Sequence, residues 1–478
     1  MSVCLRSRVV LVVLWLSLPG PTVAQSVQSP PSWVPAVNAV FADVASATSP
    51  GCALGVFQNG RIAYERGYGM ADLERDVAIQ PSSVFYVGSL SKQFTAFAIA
   101  LASSEGKLAL DDNVRKWIHE VPDYGSRLTV RHLVHHMSGL RDYNTVLDIA
   151  GLRNDEAFDN ATVLRIVSRQ RALNFAPGDE YLYSNSGYVL LSLIVERATG
   201  MPLAEYAKTR IFQPLGMRDT QFYDDVTRIV KNRAFAFDRA RTGEWRDNTP
   251  HSQRTGAGGV LTSVRDLLAW DNNFYKPTVG TTALVAQIHQ TGSLNSGKPL
   301  TYAYGLQISE YRGQRVVEHG GSLGGYRAHL MRFPDSRTSV AALCNFGTSD
   351  PGTRARRVAD HVLRDTFKQP VPTSSTAASS TRASEPAVTV TADRLRELAG
   401  QYHSDEAAAT FVVDVAGGQL RVTRERDTEP ILLRPVGPDR FAFRSMTVRF
   451  LRANGHVTGL SVDAGRVTDI RFTRRGGS

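Results

Sequence analysis

Gly88-Ser89-Leu90-Ser91-Lys92 runs without a break into Gln93-Phe94-Thr95-Ala96-Phe97-Ala98-Ile99-Ala100-Leu101-Ala102-Ser103-Ser104, and this stretch decides the reading of the whole chain. Residues 91–104 are apolar on most sides and stop near Gly106, the pattern of a buried helix. Positions i and i+3 share a helical face, so Lys92 places its amine against the Ser89 hydroxyl. A serine hydroxyl is a poor nucleophile until a neighbouring base takes its proton. Apolar surroundings lower a lysine pKa toward that of a usable base. Ser89 also stands near the helix N-terminus, where backbone N–H groups help hold an oxyanion. Ser91 competes locally, but Lys92 is its immediate neighbour and points to another face. Taken alone, S-x-x-K is a common chance spacing, and a serine at a helix start is usually just a cap.

Working outward, residues 53–57 and 61–64 flank Asn59-Gly60, the strongest short hairpin signal because both residues tolerate positive φ. Residues 108–310 mix helical patterns with Gly- and Pro-containing loops. Strand patterns return at 315–318, 326–333 and 339–343, and an amphipathic helix is expected over 354–367. Strands at both ends with a helical insertion between them imply an α/β (α+β) sheet built from chain termini and covered by helices. Residues 369–390, rich in Pro, Ser, Thr and Ala, read as a linker. Beyond it, 391–478 shows short alternating segments (410–415, 419–423, 441–443, 447–451 and 467–472) with turns such as Gly417-Gly418 and Asn454-Gly455, a small all-β domain without a catalytic constellation.

Two more motifs carry chemistry. Tyr183-Ser184-Asn185 lies between a Pro-Gly loop and an apolar helical run beginning near Gly187. Tyr183 is suited to relay protons as a phenolate-like base beside a lysine, and Asn185 to hold a substrate amide. The plain alternative is a turn before a helix. His319-Gly320-Gly321-Ser322 follows a strand pattern. Its glycines let a substrate lie along a strand edge, and the Ser322 N–H pairs with that of Ser89 as an oxyanion pocket. The plain alternative is a glycine turn with His319 exposed.

S-x-x-K, then Y-x-N, then H-x-G in this order resembles the serine β-lactamase and penicillin-binding family, in its class C branch with related esterases, D-aminopeptidases and DD-peptidases. Pro50-Gly51-Cys52-Ala53, His136-Met137-Ser138-Gly139-Leu140 and Gly256-Ala257-Gly258-Gly259-Val260 with Asp266, Leu267 and Trp270 are also similar to that family. The resemblance covers residues 35–368, and the C-terminal segment resembles the lipocalin-like β-domain appended to such hydrolases. It implies a five-stranded antiparallel sheet flanked by helices, an all-helical subdomain, and a site in the cleft between them. It further implies that Ser89 forms an acyl-enzyme, that Lys92 and Tyr183 shuttle the proton, and that Tyr183 activates the deacylating water. Asn185 would then orient the substrate, with His319 to Ser322 lining its strand-edge site. Which of Lys92 and Tyr183 is the acylation base stays open. True β-lactamases begin the third motif with lysine. His319 is largely neutral at pH 7, which tilts the expectation toward an esterase or peptidase. The family sheet would also pair its first strand with its last, bringing Cys52 near Cys344.

The N-terminus reads as a signal peptide over 1–24. Arg6 and Arg8 precede a short apolar run at 9–18, Pro19 and Pro21 break it, and Thr22-Val23-Ala24 offers a cleavage site. Export to the periplasm or medium is the expectation, with no integral membrane segment after cleavage. The mature chain would keep Cys52 and Cys344; small buried thiols are the expected state, with a disulfide between them in an oxidising compartment as the alternative. A formal charge of +10 comes from scattered arginines, so no nucleic-acid partner is expected. His132, His135 and His136 lack a further ligand at metal spacing, and neither metal nor cofactor is expected. The partner is therefore a small-molecule or peptide substrate, and the sequence leaves the oligomeric state open. Two other readings remain. Gly320-Gly321-Ser322-Leu323-Gly324 matches the G-x-S-x-G elbow of α/β-hydrolases, which would make Ser322 the nucleophile. A catalytically silent binding or regulatory protein on the same fold is the third.

Overall fold

A computed structural model describes residues 31–152, 158–369 and 388–476. The signal-like segment 1–24 and most of the linker lie outside the described residues. Strands β1 (Cys52–Gln58) and β2 (Arg61–Tyr68) form the expected hairpin, with Asn59 and Gly60 both at positive φ. The helical region contributes α1 (Lys92–Ser104), α2 (Tyr143–Ile149), α3 (Asn185–Thr199) and α4 (Val264–Asn273). The chain returns to the sheet as β3 (Gln307–Tyr311), β4 (Gln314–Leu323), β5 (Tyr326–Phe333) and β6 (Thr338–Cys344), and α5 (Pro351–Val362) follows.

The sheet runs β3-β4-β5-β6-β1-β2, antiparallel throughout. It has six strands rather than five. The addition, β3, is an edge strand whose residues are half-buried or exposed, so no apolar alternation announces it. Every residue of β6 is buried, because α4 and α5 both pack against that strand, and a sheet covered on both faces reads as a continuous apolar run. α5 begins at Pro351, earlier than 354, because the Asp350 side chain accepts from Thr353 N at 2.9 Å and proline suits the first helical position.

The expectation of free thiols is corrected. The first and last strands pair in register Cys52↔Cys344, and the two cysteines form a disulfide across 292 residues of sequence. A crosslink over so long a loop mainly restricts the unfolded chain. Reduction, or Cys344→Ala, should lower unfolding free energy by about 2–4 kcal/mol in denaturant titrations. Alkylation of unreduced protein should leave both cysteines unlabelled.

The C-terminal region is a closed barrel of eight strands: β7 (Gly400–Ser404), β8 (Ala409–Ala416), β9 (Gln419–Arg424), β10 (Ile431–Gly437), β11 (Arg440–Phe443), β12 (Met446–Ala453), β13 (His456–Ala464) and β14 (Val467–Arg475). Each strand pairs with the next and β14 closes on β7, which removes free edges. Tyr402, Phe411, Phe441, Phe450 and Phe472 fill the interior.

The barrel docks on the preceding domain beside α2. Arg141 and Glu406 form a buried ion pair at 2.7 Å, and Glu406 also accepts from Arg171 N at 2.6 Å. Arg424 Nη1 donates to Asp148 O at 2.5 Å, and Thr468 N to Asn174 Oδ1 at 2.9 Å. Glu406→Gln would leave Arg141 buried without its counter-charge, a change that costs about 3–5 kcal/mol. Thermal unfolding should show the barrel separating or melting first in this variant.

Candidate active site

Residues Gly88–Ser91 form a 3₁₀ turn leading into α1. β4 runs against this turn backbone to backbone. A Cβ on Gly321 would lie 1.9 Å from Val87 O, and one on Gly88, whose φ is +52°, would lie 2.4 Å from Ser322 N. Only glycine permits that approach. It brings Ser322 N against Gly88 and Ser89 N against Gly321, where a Cβ would lie 2.4 Å and 2.8 Å away respectively. Ser91 is fully buried and used in structure, its hydroxyl donating to Gly88 O at 2.6 Å and accepting from Val260 N at 3.0 Å. Ser89 is half-exposed and faces the cleft.

Lys92 is completely buried. Its Nζ lies 2.8 Å from Asn185 Oδ1, 2.7 Å from Ala257 O and 3.2 Å from Ser89 Oγ. The first two atoms can only accept, whereas the Ser89 hydroxyl can also donate. An ammonium donates all three bonds, whereas a neutral amine donates two, to Asn185 Oδ1 and Ala257 O, and turns its lone pair toward the Ser89 hydroxyl. Burial lowers the Lys92 pKa well below the ordinary value; Asp142 opposes this and Arg466 adds to it.

Asn185 opens α3, which Ser184 caps through Gly187 N at 3.4 Å, and its amide orientation is fixed by Asp142. Asp142 Oδ2 accepts from Asn185 N at 2.6 Å and from Asn185 Nδ2 at 2.8 Å, which turns Oδ1 toward Lys92. The other Asp142 oxygen caps α2 through Asn144 N at 3.1 Å and Thr145 N at 3.4 Å. Tyr183 sits with its ring centre 4.7 Å from Lys92 Nζ and lines the cleft together with Ser89. The loop at His136 holds it there. Leu182 N donates to His136 O at 3.0 Å, Ser184 N donates to His136 Nδ1 at 3.1 Å, and the two rings lie 4.2 Å apart. Burial raises the Tyr183 pKa, with Ser89 and Arg466 pulling the other way, so the surroundings work against the ionised, phenolate-like form expected of it.

His319 lies on β4, half-buried rather than exposed. Nδ1 contacts Gly320 O at 2.5 Å, and a carbonyl only accepts, so Nδ1 carries the proton and Nε2 accepts from Tyr302 Oη at 3.1 Å. Burial pushes its pKa down to about 3, with nearby Lys92 contributing. His319 is therefore neutral, and both ring nitrogens are engaged.

A cleft of about 960 Å³ opens onto Ser89, Tyr183, Asn185 and residues 319–322. All eight residues singled out in the sequence thus meet around one cleft, with Lys92 directly behind Ser89. The G-x-S-x-G match instead falls in the β4–β5 hairpin, where Gly324 turns at φ +52°. A nucleophile elbow links a strand to a helix, so Ser322 is not placed as one. Sequence reasoning missed Asp142, Tyr302 and three arginines of the barrel, Arg424, Arg444 and Arg466, that also line the cleft. Asp142 follows the His136–Leu140 segment closely, but nothing in the sequence links it to Asn185.

A family model described as Beta-lactamase matches residues 37–363. The chain belongs to the beta-lactamase family. Among curated relatives, a D-aminopeptidase of Gluconobacter oxydans (strain 621H) is 30% identical over 308 residues, spanning 64% of this chain and 58% of that protein. A penicillin-binding protein of Bacillus subtilis (strain 168) is 30% identical over 330 residues, 66% of this chain and 71% of that protein. The chain thus spans little more than half the length of the D-aminopeptidase. Among solved structures, an octameric penicillin-binding protein homologue from Pyrococcus abyssi superposes with a TM-score of 0.63 at 24% identity, covering 92% of this chain and all of that one. A D-amino acid amidase from Ochrobactrum anthropi SV3 gives 0.59 at 22% identity, covering 70% of this chain and 99% of that one. These likenesses establish the shared fold, and the first, covering 92% of this chain, extends into the barrel.

Proposed function

We propose that this chain is an exported serine hydrolase that cleaves an ester or amide, such as a D-amino acid peptide, ester or β-lactam-like compound, through an acyl-enzyme at Ser89. The observation that carries the reading is the fully buried Lys92 amine, whose Nζ lies 3.2 Å from Ser89 Oγ. The relatives named D-aminopeptidase and the neighbour named D-amino acid amidase support the substrate class.

Lys92 takes the Ser89 proton as Oγ attacks the carbonyl carbon, and the Ser89 and Ser322 amides bind the oxyanion. The opposite directions of the Lys92 and Tyr183 shifts favour Lys92 as the acylation base. Tyr183, kept protonated by burial, hands a proton from its hydroxyl to the leaving atom and is replenished by Lys92. In deacylation the same relay runs backward, drawing a proton from water. Asn185 fixes the Lys92 amine and presents its amide edge to the substrate. Neutral His319 leaves the strand side without a cation for a β-lactam carboxylate, which favours esters and peptides.

Labelling with a fluorophosphonate and a fluorescent penicillin, followed by peptide mapping, tests the mechanism. An adduct on Ser89 is expected, whereas an adduct on Ser322, or inertness in both labelling and ester assays, would overturn it. N-terminal sequencing of protein recovered outside the cytoplasm should begin at Gln25 if export follows cleavage after Ala24.

A further inference from the structure

The cleft has one wall that the catalytic domain does not supply. The tip of the β13–β14 hairpin, Gly465-Arg466, reaches from the barrel to the active site. It is pinned there by its backbone, since Arg466 O accepts from Asn174 Nδ2 at 3.0 Å and from Asp142 N at 3.4 Å. The Arg466 guanidinium lies 4.7 Å from the centre of the Tyr183 ring, on which Lys92 Nζ also rests at 4.7 Å. Its nearest carboxylate oxygen, Asp142 Oδ2, is 3.8 Å away, beyond hydrogen-bond reach, and already accepts two bonds from Asn185. Among the described residues the Arg466 guanidinium makes no hydrogen bond, and its side chain is 43% exposed.

The other charges of the cleft sharpen the point. Arg424 is committed, held by Asp427 at 2.7 Å and by Asp148 O. Arg254 is buried against Tyr143, with bonds to Ser252 Oγ at 2.8 Å and Asn144 Oδ1 at 3.2 Å. Arg444 is exposed at the β11–β12 turn, near Asp427, which Arg424 already occupies. The lining carboxylates are Asp142 and Asp148, so cations prevail. Lys92 is fully buried behind Ser89 with its amine on Asn185 Oδ1 and Ala257 O, and both ring nitrogens of His319 are engaged by Gly320 O and Tyr302 Oη. An anion entering this cleft therefore meets its free donors on the barrel.

Resting on the acyl-enzyme reading above, we propose that the barrel completes the substrate site, with Arg466 binding a carboxylate on the leaving half of the substrate and Arg444 reinforcing it from the rim. The leaving half is specified because Tyr183 donates to the leaving atom and Arg466 lies against that same ring. A guanidinium with open donors suits a carboxylate, which it grips with two parallel bonds. The shared ring keeps the acidic group within about three residues of the scissile bond. The substrate is thus an acidic ester or peptide whose departing fragment carries the charge.

The test compares 3- and 4-acetoxybenzoic acids with their methyl esters, which share one acyl group and differ in the charge of the leaving half. Wild type should prefer the acids in kcat/KM by about tenfold or more, although the methyl esters have the better leaving groups. Arg466→Gln should cut that acid-over-ester ratio by about 10–100-fold, mainly through KM for the acids, the range expected for loss of a charge-assisted pair. Arg466→Lys should retain most of the preference, Arg444→Gln should reduce it about threefold, and added salt should weaken it. Equal losses on acids and esters, or no preference in wild type, would overturn the inference. In either case turnover of the methyl esters and labelling of Ser89 keep the acyl-enzyme reading standing. If wild type hydrolyses neither compound and Ser89 stays unlabelled, that reading itself fails. Thermal unfolding of each variant checks that the hairpin, held by its backbone, stays docked.

Discussion

Ser89→Ala should lower kcat/KM for any ester or amide substrate by about 10⁴-fold or more, while folding and substrate binding persist. The size follows from the division of labour in the cleft. Without Oγ there is no covalent intermediate, and Lys92 has no proton to take. The remaining groups still bind the substrate and polarise its carbonyl, so some residual hydrolysis by water is expected. Ser322→Ala is the discriminating control. Its contribution is a backbone N–H, which alanine keeps, so the loss should stay below about tenfold. Ser91→Ala should act on stability instead, because its hydroxyl bridges Gly88 O and Val260 N. Full activity in Ser89→Ala would remove the proposed mechanism.

The site was legible where its logic is local. Ser89 and Lys92 meet because they are one turn apart, and the helix after them buries the amine that chemistry needs neutral. Tyr183, Asn185 and His319 were legible as motifs, whereas the reasons they work are non-local. The Asn185 amide is oriented by Asp142 across 43 residues of sequence. His319 is neutralised by enclosure and by Tyr302, and the Tyr183 loop is hung from His136. Each of these relations links elements that only the fold brings together. The direction in which the Tyr183 pKa is pushed was hidden for the same reason, because burial is a property of the neighbours and not of the residue.

The fold shows the same division. β1, β5 and β6 declared themselves through apolar runs with turn residues at their ends. Edge strand β3 did not, and within the barrel β10 was hidden by Pro435, which marks a register irregularity in its pairing with β11. β7 is short and largely polar in composition, Gly400–Ser404, and its pairing with β14 is what closes the barrel. The cysteines show how register overrides composition. Two isolated thiols suggest no scaffold, yet antiparallel pairing of the chain ends sets Cys52 opposite Cys344. The barrel looked catalytically silent because its contribution is a single hairpin tip, and a lone arginine there is indistinguishable in sequence from the scattered surface arginines.

Replacing Lys92 separates its chemical role from its structural one. Lys92→Met should lower kcat by about 10³-fold or more, in the range expected for loss of a positioned general base. Lys92→Arg should do no better, because a guanidinium cannot give up its proton near neutral pH. In wild type, activity should fall as acidification passes the depressed Lys92 pKa, since protonation removes the lone pair that takes the Ser89 proton. Tyr183 imposes no loss on the alkaline side until well above pH 10, because its pKa is raised. Stability carries a second signature. Between the depressed native pKa and the ordinary lysine value near ~10.4, the unfolded chain binds a proton at Lys92 that the native chain does not. Unfolding free energy should therefore gain from Lys92 as pH rises through that window. Lys92→Met removes this contribution, so the difference between the two stability–pH curves isolates the cost of burying the amine. If wild type and Lys92→Met showed parallel curves across the window, Lys92 would be charged in the native state and could not serve as the base.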